Sequence, residues 1–296
     1  MDGKRIYAPL LQRVFDHSRK WTPSKRPERQ AITLAVLLNL CTSVPLAAGA
    51  ELALSATIRD AAILATFTGS RISEYAQSQV EPGTPFRAVP RSAASGAAGD
   101  HPLAFERDDF SFYSAAGVEV NTGHISAPRY VRVLFRFSKG TTRSFAYRMF
   151  ASIPNSALCP VAAASRIVRR WSTLRLGPGT PLLCYLPPSQ KSPPMFLLDK
   201  QVTLALRQAV CRVYPSPRHI LRQHLSSISS HSLRVFACLC LKTAGWDEEA
   251  ISHQLRWNSD AVKYYIRQSL IQVDAVSASL FHSAFVEVTT PQTTKS

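Results

Sequence analysis

The segment of residues 231–267 has the most regular pattern in the chain. Apolar side chains recur at i, i+3, i+4, i+7, i+8 and i+11 near its start: Leu233, Phe236, Ala237, Cys240, Leu241 and Ala244. This spacing predicts a helix that buries one face. Gly245 can end that helix, Asp247 can cap a second one, and Ser259 can cap a third. The segment therefore predicts three short helices in the core of a folded domain.

The rest of the chain combines further helices with a few strands. Helical spacing predicts two helices within residues 30–77 and one each over residues 157–176 and 198–213. Alternating apolar residues from Val131 to Phe137 predict a half-buried strand, a turn at residues 138–140 follows, and Phe145 and Tyr147 mark a returning strand. Residues near Phe110 to Phe112 predict a third strand. The expected fold is mainly α with a small antiparallel β-sheet, which is the α+β class.

A polar heptapeptide, residues 68–74, follows the second predicted helix. Its sequence is Thr-Gly-Ser-Arg-Ile-Ser-Glu. Gly69 permits a turn that brings Arg71 to the rim of a cleft. The carboxylate of Glu74 can hold the Arg71 guanidinium in orientation through a charge-assisted hydrogen bond.

The polar residues of the C-terminal segment follow the order His231-x-x-Arg234, then Trp257, then Tyr265, which lies 31 positions after Arg234 (265 − 234). This pattern resembles the tyrosine recombinase, or phage integrase, superfamily. The heptapeptide with Arg71 resembles the first active-site box of that family, and Lys139 matches its hairpin lysine. One departure is Arg256, which stands where the family usually has a glycine.

The resemblance implies the tyrosine recombinase catalytic-domain fold and a set of catalytic residues with Glu74 in support: Arg71, Lys139, His231, Arg234, Trp257 and Tyr265. It implies DNA cleavage and rejoining through a 3′-phosphotyrosyl intermediate, in site-specific recombination or integration of a mobile element. We expect no cofactor and no metal site, because arginine guanidinium groups can bind the phosphate oxygens. Two alternatives stay open: a type IB topoisomerase that relaxes DNA, and a truncated, inactive DNA-binding remnant.

The neighbouring tyrosines Tyr264 and Tyr265 both fit the spacing of the nucleophile. On a helix, Tyr265 shares an apolar face with Val262 and Ile266, whereas Tyr264 falls near Asp260 on a polar face. Helical phase therefore favours Tyr265 as the nucleophile.

The net charge of +16, from 35 basic and 19 acidic residues, indicates a polyanionic partner. Double-stranded DNA is the expected partner, bound by a homo-oligomer, with an apolar helix near residues 273–285 docking on a neighbouring protomer. The candidate DNA contacts are Arg132, Arg136, Arg143, Arg218 and Arg222. Three further arginines are predicted on the outer face of the helix within residues 157–176: Arg166, Arg169 and Arg170.

The expected organisation is a basic arm over residues 1–29, left from an upstream DNA-binding domain, and one catalytic domain over residues 30–285. Within it, the Ala-, Ser-, Gly- and Pro-rich residues 78–104 predict a long mobile loop, and residues 286–296 a disordered tail. The six cysteines lack metal-site spacing and indicate reduced thiols. We expect an intracellular protein, in the nucleus of a eukaryote or the cytoplasm and nucleoid of a bacterium. The uncharged run 31–50 predicts a buried helix and a loop, not a membrane span.

Overall fold

The computed structural model describes most of the expected catalytic domain. The described residues are 30–43, 52–76, 104–121, 128–136, 146–178, 180–188 and 193–257. None of the helices within these ranges is long and apolar enough to cross a bilayer.

Helices make up about half of the described residues. The longer ones are α1 (Leu34–Thr42), α2 (Leu54–Thr68), α4 (Pro160–Thr173), α5 (Asp199–Val213), α7 (His231–Thr243) and α8 (Glu248–Leu255). Two helices are single turns, α3 (Ile72–Tyr75) and α6 (Ile220–Gln223). Short 3-10 turns lie at Arg107–Asp109 and Leu225–Ser227.

The strands form a small antiparallel sheet and a separate short ribbon. The sheet contains β1 (Phe110–Tyr113), β2 (Glu119–Val120), β3 (Tyr130–Phe135) and β4 (Ala146–Ala151) in the order β2-β1-β3-β4. The ribbon pairs β5 (Cys184–Tyr185) with β6 (Met195–Phe196). In β3, Val131, Val133 and Phe135 are buried while the residues between them are half-buried, as the alternating pattern predicted. The α+β class with a small antiparallel sheet is therefore confirmed.

Helix α2 lies at the centre of the core. It is rich in alanine and is buried on nearly all sides, polar residues included. It packs against α1, α4, α5 and α7, while α4 also packs on β3 and β4. The helices predicted within residues 30–77, 157–176 and 198–213 are all confirmed.

The predicted ends of the C-terminal helices are also confirmed. Gly245 follows α7 with a φ of 86°, where a residue with a Cβ is disfavoured. The Asp247 side chain caps α8 by accepting the Ala250 N–H at 2.7 Å. The third predicted helix, with Ser259, lies outside the described residues.

One acidic residue of α2, Asp60, is fully buried and binds a group of arginines. Its carboxylate receives Arg170 at 2.7 Å and Arg166 at 2.8 Å from α4, and also the adjacent Arg59 at 2.9 Å. The prediction that Arg166 and Arg170 lie on the outer face of their helix is therefore wrong, whereas Arg169 is exposed. The helical spacing showed which apolar side chains point inward but gave no partner for a buried cation.

Asp60→Ala should cost about 3–5 kcal/mol of unfolding free energy, because it leaves the buried Arg170 guanidinium without its carboxylate. Urea unfolding of the full chain measures the loss. Arg169→Ala, one position away on the exposed face of α4, is the matched control and should cost far less. Equal losses in the two variants would show that the Asp60 ion pairs do not hold α2 to α4.

Candidate functional site

The heptapeptide turn and the end of α8 lie in direct contact. Gly69 ends α2 in the left-handed conformation, with a φ of 58°. A Cβ placed there would lie 2.4 Å from Cδ2 and 3.3 Å from Cα of Leu255. Glycine is therefore favoured by the backbone conformation and, in addition, by the close approach of α8.

Buried hydroxyl groups and one carboxylate hold this turn. The Thr68 hydroxyl donates to the Leu64 carbonyl at 2.7 Å and lies 2.5 Å from the Ser70 hydroxyl. The Glu74 carboxylate accepts the backbone N–H of Arg71 at 2.8 Å and so caps α3. Arg71 is thereby fixed at the start of α3, with its side chain 29% exposed.

The C-terminal segment, residues 231–257, places a buried arginine beside Trp257. His231 is the first residue of α7, and Arg234 follows one turn later on the same side of the helix. Arg234 is only 5% exposed. Its Nη2 donates to the Leu255 carbonyl at 3.0 Å, and its guanidinium carbon lies 4.9 Å from the centre of the Trp257 ring. The motif in this segment groups Arg234 with Trp257, and in the structure the Arg234 guanidinium lies over the Trp257 ring.

Glu74 has a closer partner than the one expected for it. Arg256 donates two hydrogen bonds to its carboxylate, at 2.9 and 2.7 Å, while the Arg71 guanidinium comes no closer to it than 3.6 Å, at Nη1. Both side chains of the Glu74–Arg256 pair are more than nine-tenths buried. This bidentate ion pair joins the heptapeptide of residues 68–74 to the end of α8, and its two residues are 182 positions apart in the sequence.

Arg256 also joins the small sheet to the site. Its guanidinium carbon lies 3.5 Å from the ring centre of Phe135, at the end of β3. Its φ of 56° is in the left-handed region that favours glycine, the residue the recombinase family usually has at this position.

Arg148 is a further cation at the site, and no sequence pattern had identified it. From β4 it donates to the His253 carbonyl of α8 at 2.6 Å. Burial, and then the neighbouring Arg256 charge, lower its pKa from the usual arginine range. The strand alternation that turns Tyr147 and Met149 outward could have identified Arg148 as an inward-facing cation.

The buried tyrosine and thiols next to the site are poor nucleophiles. Burial, together with Asp199, raises the pKa of Tyr75 well above the usual phenol range. Burial likewise raises the pKa of Cys238, one turn after Arg234, to about 12, although the Arg234 charge opposes the shift. Both groups therefore stay protonated at neutral pH.

Three of the predicted site residues, Lys139, Arg143 and Tyr265, lie outside the described residues. Arg71, Glu74, His231, Arg234 and Trp257 lie on α3, on α7 and just after α8. The turn at Gly69 and the Glu74–Arg256 pair bring these elements together.

The predicted DNA contacts differ in their surroundings. Arg136 is bound by Glu106 at 2.7 Å and Asp109 at 2.8 Å and is largely buried, and burial raises the pKa of Asp109 to about 6 against the opposing effect of Arg136. Arg222 donates to the Cys211 sulfur. Arg132 and Arg222 are half-buried, and Arg218 is exposed.

Arg132 lies on the outer face of the sheet. Its guanidinium carbon is 5.3 Å from the Tyr113 ring centre and 4.9 Å from that of Tyr147. Arg218 is exposed in the turn before α6. These two arginines, unlike Arg136, can take part in binding a phosphate backbone without breaking an internal ion pair.

No family model matches the chain, and a search of curated proteins also finds no match. Among the described residues, no group of three or more His, Cys, Asp and Glu side chains is placed to hold a metal ion. The cations described above, in the part of the site that the structure covers, are arginines.

Gly69→Ala should destabilise the chain by about 2–4 kcal/mol in urea unfolding, since it adds left-handed strain and an overlap with Leu255. Gly245→Ala is the matched control. Gly245 also follows a helix at positive φ, but a Cβ there meets nothing within 4 Å. The loss of unfolding free energy in Gly245→Ala should therefore reflect the backbone strain alone. Equal losses in the two variants would contradict the tight contact between the heptapeptide turn and α8.

Proposed function

We propose that the chain is a DNA strand transferase of the tyrosine recombinase type, acting in site-specific recombination or integration. Its substrate is a phosphodiester of double-stranded DNA, and its product is a 3′-phosphotyrosyl link that is later reversed. Arg71 and Arg234 bind the phosphate oxygens, with His231 and Trp257 as further donors. Tyr265 is the nucleophile.

One observation carries the proposal. The two arginine-bearing segments belong to distant parts of the chain, yet Gly69 packs against Leu255 and Glu74 pairs with Arg256. The buried Arg234 stacks on Trp257 beside this joint. Two guanidinium groups contact the one Glu74 carboxylate, and a third lies over the neighbouring Trp257 ring. This excess of positive charge favours an anionic ligand, and planar guanidinium forks match phosphate oxygens.

The reaction that these groups support is a transesterification. The Tyr265 phenol loses its proton to solvent water, its oxygen bonds to phosphorus, and the bond to the 5′ oxygen breaks. Lys139 gives that oxygen a proton, so the products are the phosphotyrosine and a free 5′-hydroxyl. Preorganised cations stabilise the charge that develops on the phosphoryl oxygens, and each donor is worth roughly 10²- to 10³-fold in rate. One phosphate ester replaces another, so the bond energy is kept and rejoining needs no nucleotide cofactor.

The charge of the chain supports DNA as the carrier of that phosphodiester. With a net charge of +16, the protein should attract a polyanion over distances comparable to the Debye length. Arg132 and Arg218 are proposed to contact the backbone next to the scissile phosphate. The protein is further proposed to bind DNA as a homo-oligomer.

The wild-type chain should form an SDS-resistant adduct with a nicked duplex taken from a pool of randomised sequences, because loss of the short leaving strand prevents rejoining. Tyr265→Phe should form none, since the attacking oxygen is absent. Gel shift should show that DNA binding is nearly unchanged, as only a hydroxyl is lost.

Tyr264→Phe is the matched control and should still form the adduct. If Tyr264→Phe abolishes the adduct and Tyr265→Phe does not, the nucleophile assignment is wrong by one residue. If the wild type binds DNA but yields no adduct from any duplex of the pool, the chain is a DNA-binding protein without strand-transfer activity.

Adduct formation should persist in excess EDTA at an unchanged rate, because guanidinium groups, whose charge does not depend on added ions, stabilise the phosphoryl oxygens. Single-turnover cleavage with and without the chelator measures this. A rate that falls in EDTA and returns with magnesium would contradict the arginine-based mechanism.

A further inference from the structure

Glu74 is the one carboxylate that contacts both Arg71 and Arg256 in the described structure. It accepts the Arg71 N–H at 2.8 Å, so it cannot move away without uncapping α3. Arg256 binds it with two short hydrogen bonds. The Arg71 guanidinium makes only the looser contact of 3.6 Å.

Glu74 lies closer to the Arg256 guanidinium than to that of Arg71, and this difference decides whether Arg71 can bind a ligand. A buried carboxylate requires strong donors, because burying its charge without them is costly. With Arg256 supplying them, the Arg71 side chain keeps part of its surface exposed and its fork is not bound bidentately. Without Arg256, the nearest guanidinium to Glu74 would be that of Arg71.

The conformation of Arg256 indicates that its side chain is needed. At a φ of 56°, glycine would be the least strained residue. The arginine is instead accommodated by the Glu74 carboxylate and by the face of Phe135, 3.5 Å away. Its backbone also leads directly into Trp257, against which Arg234 stacks.

We propose that Arg256 is a positioning residue that occupies the Glu74 carboxylate and so leaves the Arg71 guanidinium available to an anionic substrate. The inference rests on the proposed function for the identity of that substrate, DNA phosphate. The competition between Arg256 and Arg71 for Glu74 can be tested without it.

The test uses the full chain and three variants: Arg256→Gly, the double variant Glu74→Gln with Arg256→Gly, and Arg175→Gly. Glycine suits the left-handed conformation at 256, so only the side chain is lost. Arg175 has a φ of 51° just after α4 and is exposed, which makes it a matched control for the exchange of arginine for glycine.

The first readout is the rate at which phenylglyoxal modifies Arg71, followed by mass spectrometry. In Arg256→Gly, Glu74 should bind the Arg71 guanidinium and slow its modification about tenfold. Glu74→Gln in the same chain should restore the rate, and Arg175→Gly should leave it at the wild-type value. A general loosening of the fold would have the opposite sign, because it would expose Arg71 and also speed modification of the buried Arg234 and Arg170.

The second readout is single-turnover cleavage of the nicked duplex that the wild type captures, at saturating DNA. Arg256→Gly should cleave about 100-fold more slowly, because the phosphate loses a correctly placed donor. The double variant should recover most of that loss. Unchanged Arg71 reactivity in Arg256→Gly would overturn the proposal, as would slow cleavage without recovery in the double variant. If the Arg71 pattern holds and the wild type forms no adduct, the positioning role stands and the proposed function fails.

Discussion

The buried carboxylate of Glu74 is the interaction on which the arrangement of the site depends. The Glu74 side chain is more than nine-tenths buried, and burying a carboxylate without strong donors is costly. Here the donors come from both halves of the site: the Arg71 N–H from the α2–α3 turn, and the Arg256 guanidinium from the end of α8. The need to satisfy one charge therefore fixes the relative position of two segments that are distant in sequence.

Contacts from the sheet and the core position the two partners of the Glu74–Arg256 ion pair. Arg256 lies on the Phe135 ring at the end of β3, and Arg148 of β4 donates to the α8 carbonyl at His253. On the opposite side, α2 is held to α4 by the Asp60 ion pairs. Because α2 carries the heptapeptide turn at its end, the core helices and the sheet edge together determine where Arg71 lies.

Local patterns predicted the elements, but not the charged contacts between them. Alternation in β3 and helical spacing in α7 gave the correct secondary structure, and the glycine and aspartate caps at Gly245 and Asp247 are as expected. The roles of Asp60 and Arg256 could not be predicted, because their partners lie about a hundred residues or more away. The site was predicted only in part for the same reason. The grouping of Arg234 with Trp257 was expected from the motif within one segment, whereas the pairing of Glu74 with Arg256 depends on the tertiary fold.

The central claim is that Tyr265 becomes covalently linked to DNA beside these arginines. The most direct measurement is mass spectrometry of the trapped adduct after nuclease and trypsin digestion. Cleavage after Lys263 and Arg267 leaves the tetrapeptide of residues 264–267, Tyr-Tyr-Ile-Arg. The account predicts a nucleotide 3′-phosphate on the second tyrosine of that peptide. A 5′-linked nucleotide, a linkage on another residue, or DNA binding with no linked peptide would contradict it.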